Sequence, residues 1–201
     1  MIETKRYFSC HNHTMYSNLH IIDSFNRPEQ RLDYAWDLGR GGIAFTDHDC
    51  LSGSIKFIEA YEKKLTTEWN KKYGDTKPRP DFQSASDDLD FSMAIGNEIY
   101  VSEEGTTSAN CKGHHFWHYI LIAKDLEGHR QLREISSAAW QRGWAVGNLM
   151  RRTPTYPSDL AKIVKGGHLI CSTACLAGRT AFLVKQRRGA DEATVKELAT
   201  K

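Results

Sequence analysis

Short apolar runs alternate with helix-period segments along most of the chain, and that rhythm constrains the fold more than any other feature. Gly42-Ile43-Ala44-Phe45-Thr46, Phe91 to Val101, Phe116 to Ala123 and Gly167 to Ser172 are of strand length and rich in aliphatic or aromatic residues. A first strand is expected over Lys5 to His13. The segment Asp23-Ser24-Phe25-Asn26-Arg27-Pro28-Glu29 offers small polar caps, an early proline and an acid, the makings of a helix start. Leu32, Ala35, Trp36 and Leu38 mark its apolar face, and Gly39 ends it. A second helix, about Ser52 to Tyr73, carries Ile55, Ile58, Tyr61, Leu65 and Trp69 on one side. Further helices are expected over Leu126 to Arg142, from Pro157 onward, and in the charged tail after Arg179. Strands alternating with helices predict parallel pairing and an α/β architecture. Gly74 to Asp90 shifts to Lys, Pro, Asp and Ser, which predicts an exposed insertion or loop within one domain over residues 1–201, because the alternation resumes after it.

Composition narrows the class. At 40% hydrophobic and 26% charged residues, with a net charge of +2, the chain reads as an ordinary water-soluble domain. Lys185-Gln186-Arg187-Arg188 is the nearest thing to a basic run, so charge alone gives no case for nucleic-acid binding. No apolar run approaches a membrane span and the chain opens on charged residues, so a cytoplasmic location and no membrane partner are expected. The five cysteines contain no CxxC pair, which fits reduced thiols and excludes a zinc ribbon. Serine-hydrolase, P-loop and dinucleotide-binding motifs are absent from the sequence.

In α/β folds reactive residues gather where strands meet loops. Strand one ends at His11-Asn12-His13, whose imidazoles, two residues apart, share a face. Strand two stops at Asp47-His48, an acid–imidazole pair that is hard to bury unless it is satisfied. Strand three carries Glu98 after a Gly-Asn turn, strand four begins beside His114, His115 and His118, and strand five leads to Cys175. Imidazole, carboxylate and thiol are the donors of a mixed zinc-, manganese- or iron-type site. The distribution therefore predicts a metal centre built from His11, His13, Asp47-His48, Glu98 and His118. Cys175 reads equally as a ligand or as a small buried hydrophobe. His114 and His115 read as loop residues, and Tyr16 and Ser17 as loop-shaping ones.

Five blocks then resemble, in order, the motifs of the PHP (polymerase and histidinol phosphatase) domain: HNHTMYSN, GGIAFTDHDCLSG, AIGNEIYV, FWHYILIAKDLEG and HLICSTACLAG. The last two are most similar to the N-terminal PHP domain of bacterial and phage DNA polymerase III alpha subunits. The resemblance implies a distorted (β/α)7 barrel and up to three divalent cations (zinc, manganese or iron). It carries the ligand roles to His11, His13, Asp23, His48, Glu98, His118 and Cys175, with His20 competing with Asp23, and catalytic roles to His11, His13, His48 and Glu98. It implies phosphoester hydrolysis in DNA replication, on a 3′ DNA end (exonuclease proofreading) or on pyrophosphate, with the rest of a replicative polymerase as partner. A catalytically inert scaffold and a free-standing phosphatase are the alternatives. One departure stands out: no Asp-x-His follows Cys175, so an N-terminal portion of the barrel, about five βα units, is expected.

Overall fold

The computed structural model describes residues 7–19, 24–107, 109–111, 114–143, 145–146 and 151–187. Fold and site are built on one curled, mixed sheet. Its strands are β1 (Phe8–Ser9), β2 (Gly42–Phe45), β3 (Ser92–Val101), β4 (Trp117–Ala123), β7 (Pro154–Thr155) and β8 (Leu169–Thr173), while β5 (Ala145–Val146) and β6 (Arg151–Arg152) form a separate ribbon. The order is β1-β2-β3-β4-β8, with β7 added alongside β3. Helices α1 (Pro28–Asp37), α2 (Ser54–Tyr73), α3 (Phe82–Leu89), α4 (Leu126–Gln141), α5 (Pro157–Ile163) and α6 (Arg179–Arg187) complete a half-barrel α/β fold.

Pairing is parallel for β1–β2, β2–β3 and β3–β7, but antiparallel for β3–β4 and β4–β8. The all-parallel expectation fails at β4 because no described helix joins β3 to β4, and a chain that returns without a crossover lies antiparallel. Strand β3 makes the curl. Ser92–Ile95 pairs with β2 and Gly96–Val101 with β4, so one strand changes partner at Gly96. A Cβ there would sit 2.5 Å from the Leu121 carbonyl oxygen and 2.9 Å from Thr46 Cγ2, which is why glycine occupies the crossing. The Gly-Asn turn expected before Glu98 is thus continuous strand.

Alternation along β3 and β4 divides the two faces of the sheet. Outward, Ile99 and Leu121 pack on Leu132 and Ile135 of α4. Inward, Ala44, Ile120 and Ile122 form an apolar plug with Phe8, Ala94 and Ala174 around them. Further along the same inner face stand Glu98, Tyr100 and His118, registered as Glu98 against Ile120 and Tyr100 against His118. The inside of the curl is apolar at one end and polar at the other.

The larger core lies between α1, α2, α3 and the other face of β2, with Leu32, Ile43, Phe45, Phe57, Leu65, Trp69 and Phe91 almost fully buried. The buried stripe of α2 is Phe57, Ala60, Tyr61, Lys64, Leu65, Glu68 and Trp69, rotated from the expected one; Ile55 and Ile58 face solvent. Tyr61, Leu65 and Trp69 are buried as expected, and Lys64, which lies under Trp36 and bonds Asp33 (2.8 Å) and Glu68 (3.0 Å), joins them as an ion-paired core residue. Residues 74–90, expected as exposed insertion or loop, are largely exposed but contain α3. Asp81 caps it by accepting the Ser84 N–H, and Ala85 and Leu89 bury into the same core. Strand one is shorter than expected: Phe8–Ser9 pair with β2, and His11 and His13 follow in an extended loop, Lys5 and Arg6 lying outside the described residues. Among the described residues no helix is long and apolar enough to cross a membrane.

Candidate metal centre

Glu98 is the hub. It is wholly buried on the inner face of β3, and a single β-bridge pairs it with His48 just beyond the end of β2. The Glu98 N–H donates to the Asp47 carbonyl and the Asp49 N–H to the Glu98 carbonyl, fixing β2's exit against mid-β3. Glu98 Oε2 lies 2.8 Å from His11 Nε2, 3.0 Å from His13 Nε2 and 3.5 Å from His48 Nδ1; Oε1 lies 2.6 Å from His118 Nδ1. Four imidazoles from three separated stretches of chain therefore meet one carboxylate.

The loop carrying His11 and His13 is held by backbone and side-chain bonds. Asn12 donates to the carbonyls of Ser9 and Ala44, its N–H donates to Thr46 Oγ1, and Arg31 Nε and Ser24 Oγ donate to the His13 carbonyl. The Asp47 carboxylate, expected beside His48 as part of the metal pair, turns the other way. It accepts the Thr14 N–H (2.5 Å), the Thr14 hydroxyl (2.7 Å) and the Ser17 hydroxyl (2.7 Å). Its lone pairs are consumed in closing the HNHTMYS turn, and the Ser17 oxygen in turn accepts the His48 N–H. Asp47 thus positions both histidine-bearing segments without facing the centre.

Burial by itself would raise the Glu98 carboxyl, but hydrogen bonds from His11, His118 and His13 and the nearness of His48 outweigh it, holding the group well below the usual carboxylate range. Asp49, one residue beyond His48, goes the opposite way. Burial pushes it up to about 7, against the Thr153 N–H that donates to it at 2.6 Å and the charge of Arg152.

Two overlapping groups bring their ligand atoms within 4.8 Å of one another: His11, His13 and Glu98, and His48, Glu98 and His118. The first is a triangle whose three edges, between His11 Nε2, His13 Nε2 and Glu98 Oε2, are all 2.8 to 3.0 Å. Each imidazole nitrogen carries at most one proton, so every protonation pattern leaves one edge without a hydrogen bond. A cation bonded at about 2.0–2.2 Å sets its ligands roughly 3 to 3.5 Å apart, and three lone pairs facing one point satisfy all three edges together. His118 adds a second sign: its Nε2 is buried with no hydrogen-bond partner. The donor set fits a divalent cation.

Cys175 Sγ lies 3.6 Å from His118 Nδ1 and accepts the Ala177 N–H, on an exposed turn, so it stands at the edge of the cluster, neither buried nor inside either group. Asp23 and His20 lie outside the described residues. His114 contacts Glu103 and His115 stacks on Trp117, both away from Glu98. The sequence reading missed Tyr100, whose hydroxyl is 2.8 Å from His48 Nδ1. Its signal was available: two residues after Glu98 on a strand, it shares Glu98's face.

The sequence profile of the PHP domain matches residues 9–201. Relatives include the probable DNA polymerase YorL of Bacillus subtilis, 34% identical over 83% of this chain, and the DNA polymerase III subunit alpha of Treponema pallidum, 28% identical over 87%. The chain spans only 12% of the length of either. A solved structure from Bifidobacterium adolescentis, provisionally described as a metal-dependent phosphoesterase, covers 89% of this chain and 49% of its own at 16% identity and a TM-score of 0.37, too loose a likeness to carry weight.

Proposed function

The chain belongs to the PHP domain family, and from that premise we propose that its histidine–glutamate centre is a metal-dependent phosphoester-hydrolysing site within a DNA polymerase III alpha-type protein. The observation that carries this reading is the convergence of His11, His13, His48 and His118 on buried Glu98.

In this reading residues 1–201 act as one unit, in the cytoplasm. His11, His13, His48 and Glu98 serve catalysis by holding zinc, manganese or iron. His118 and Cys175 extend the ligand set, and Asp23 is its further candidate. Cations held there would lower the pKa of a bound water and neutralise charge on the phosphate. The protein's own part is placement. Glu98 supplies fixed negative charge beneath the site. His11 and His13, the more exposed members, leave the centre open on one side, so a phosphoester of a DNA end, or pyrophosphate, approaches from there. DNA and the remainder of a polymerase are the corresponding partners, and the nucleotidyl-transfer chemistry of replication belongs to that remainder.

The test is the metal content of the purified chain together with hydrolysis of bis(p-nitrophenyl) phosphate in manganese or zinc, compared with the double variant His11→Ala/His13→Ala. Joint loss of bound cation and of hydrolysis supports the reading. Loss of cation with hydrolysis unchanged refutes it, and a chain that folds normally without either would be the inert scaffold.

A further inference from the structure

Arg31 stands near the start of α1, and its side chain reaches the loop that carries His11 and His13, the more exposed histidines of the centre. Its Nε–H donates to the His13 carbonyl at 3.2 Å. The half-buried side chain is held there because the same loop is tied to the entry of the helix, the Met15 N–H donating to the Asn26 carbonyl at 2.9 Å. A guanidinium is a rigid planar fork of five N–H donors, and that bond uses one of them. Among the described residues no carboxylate pairs with Arg31, whereas Arg79, Arg130 and Arg142 are each bound to an acid. A permanent positive charge with most of its donors uncommitted thus sits beside the open side of the centre.

The distance of this charge from the centre limits what it can bind. The His13 carbonyl is separated from His13 Nε2, which faces Glu98, by the length of one residue. The guanidinium therefore stands about one histidine away from a phosphate placed at the donor cluster. The two phosphates of pyrophosphate share an oxygen and lie too close together to span that gap. Successive phosphates of a nucleic-acid strand lie a nucleotide apart and do span it, and cationic groups that track the backbone hold single strands without regard to sequence. We propose that Arg31 is a phosphate-binding residue: its Nη groups take the phosphate next to the one at the centre, so the substrate class is the end of a single-stranded nucleic acid and not pyrophosphate. This rests on the proposed phosphoester-hydrolysing site and names its substrate.

The experiment measures, by fluorescence anisotropy in manganese and over a range of salt, the binding of a 5′-labelled oligothymidylate of about eight nucleotides whose last linkage is a phosphorothioate to slow cleavage. Two variants separate charge from scaffolding. Arg31→Gln keeps an N–H at the atom that bonds the His13 carbonyl and loses the charge; Arg31→Lys keeps the charge and loses that N–H. The expected result is binding about 3- to 5-fold weaker in Arg31→Gln, with a salt slope shallower by about 0.7, and near-wild-type binding in Arg31→Lys. A neutral methylphosphonate at the linkage next to the last should weaken the wild type by the same factor and leave Arg31→Gln unaffected. The inference is overturned if Arg31→Gln binds as the wild type does, if Arg31→Lys is as weak as Arg31→Gln, or if the methylphosphonate and the substitution add. A wild-type chain that does not bind the strand also overturns it, while hydrolysis of bis(p-nitrophenyl) phosphate still decides the metal-centre reading by itself.

Discussion

Glu98, Asp47 and Asp49 are three buried carboxylates within one turn's reach of His48, and their partners give them three different tasks. Glu98 faces imidazoles, so Glu98→Gln keeps the shape but removes the charge that faces them. Cation affinity measured by competition with a chromophoric chelator should fall more than about tenfold. Asp47 faces N–H and O–H donors, so Asp47→Asn should cost roughly 2 kcal/mol in denaturant unfolding, because charge-assisted bonds become neutral ones and one donor of the amide finds no acceptor. Asp49 is the carboxyl whose folded value, about 7, lies above its ordinary 3.8. Between those values the folded chain binds more protons than the unfolded one, so its stability contribution is intact below about pH 4 and is lost as pH rises to 7. The slope from this group approaches roughly 1.4 kcal/mol per pH unit. Urea unfolding of the chelated chain across pH 4.5–7 should show it, and Asp49→Asn should flatten it. The sequence made the histidines and Glu98 legible as donors, since residue type and strand phase suffice for that. It could not show that Asp47 points away, because that depends on which neighbouring loop offers donors.

Among the elements, β3 organises everything else. It is long enough to pair with β2 at one end and with β4 and β7 at the other, and it puts Glu98 and Tyr100 on the inner face by simple alternation. Gly96→Ala places a methyl against the Leu121 carbonyl and should destabilise the chain by more than about 2 kcal/mol in thermal or urea unfolding, with β3–β4 amides losing hydrogen-exchange protection. The positions of β2, β3, β4 and β8 were readable because apolar runs of four to ten residues bounded by glycine and polar residues have few other uses, whereas the two-residue β5, β6 and β7 are too short to leave such a run. Pairing direction was not readable, since it depends on what connects two strands. The face of α2 was legible in part: Tyr61, Leu65 and Trp69 are buried as expected and Ile55 and Ile58 are not, while Lys64 counts as polar in any periodicity argument, whereas its buried stem and its bonds to Asp33 and Glu68 make it a core residue. Helix α3 escaped because only Ala85, Ser86 and Leu89 of its eight residues are buried. A loop there would tolerate Leu89→Ala; the helix predicts a loss of about 2–3 kcal/mol, since Leu89 packs into the main core.

At the scale of the whole molecule, the curled sheet gathers donors that the chain keeps far apart: 87 residues separate His11 from Glu98. Sequence motifs in order made the family legible without that geometry, and the geometry adds how the motifs meet. Beneath the donors, the Ala44–Ile120–Ile122 plug closes the inner end, so the polar cluster sits on an apolar floor and opens toward His11. The most direct measurement of the central claim is an anomalous-difference map from crystals grown with zinc or manganese. The account predicts at least one peak about 2.0–2.3 Å from a Glu98 oxygen and from nitrogens of two or more of His11, His13, His48 and His118. Crystals that carry no peak at Glu98, or carry cations only at surface sites, would contradict it.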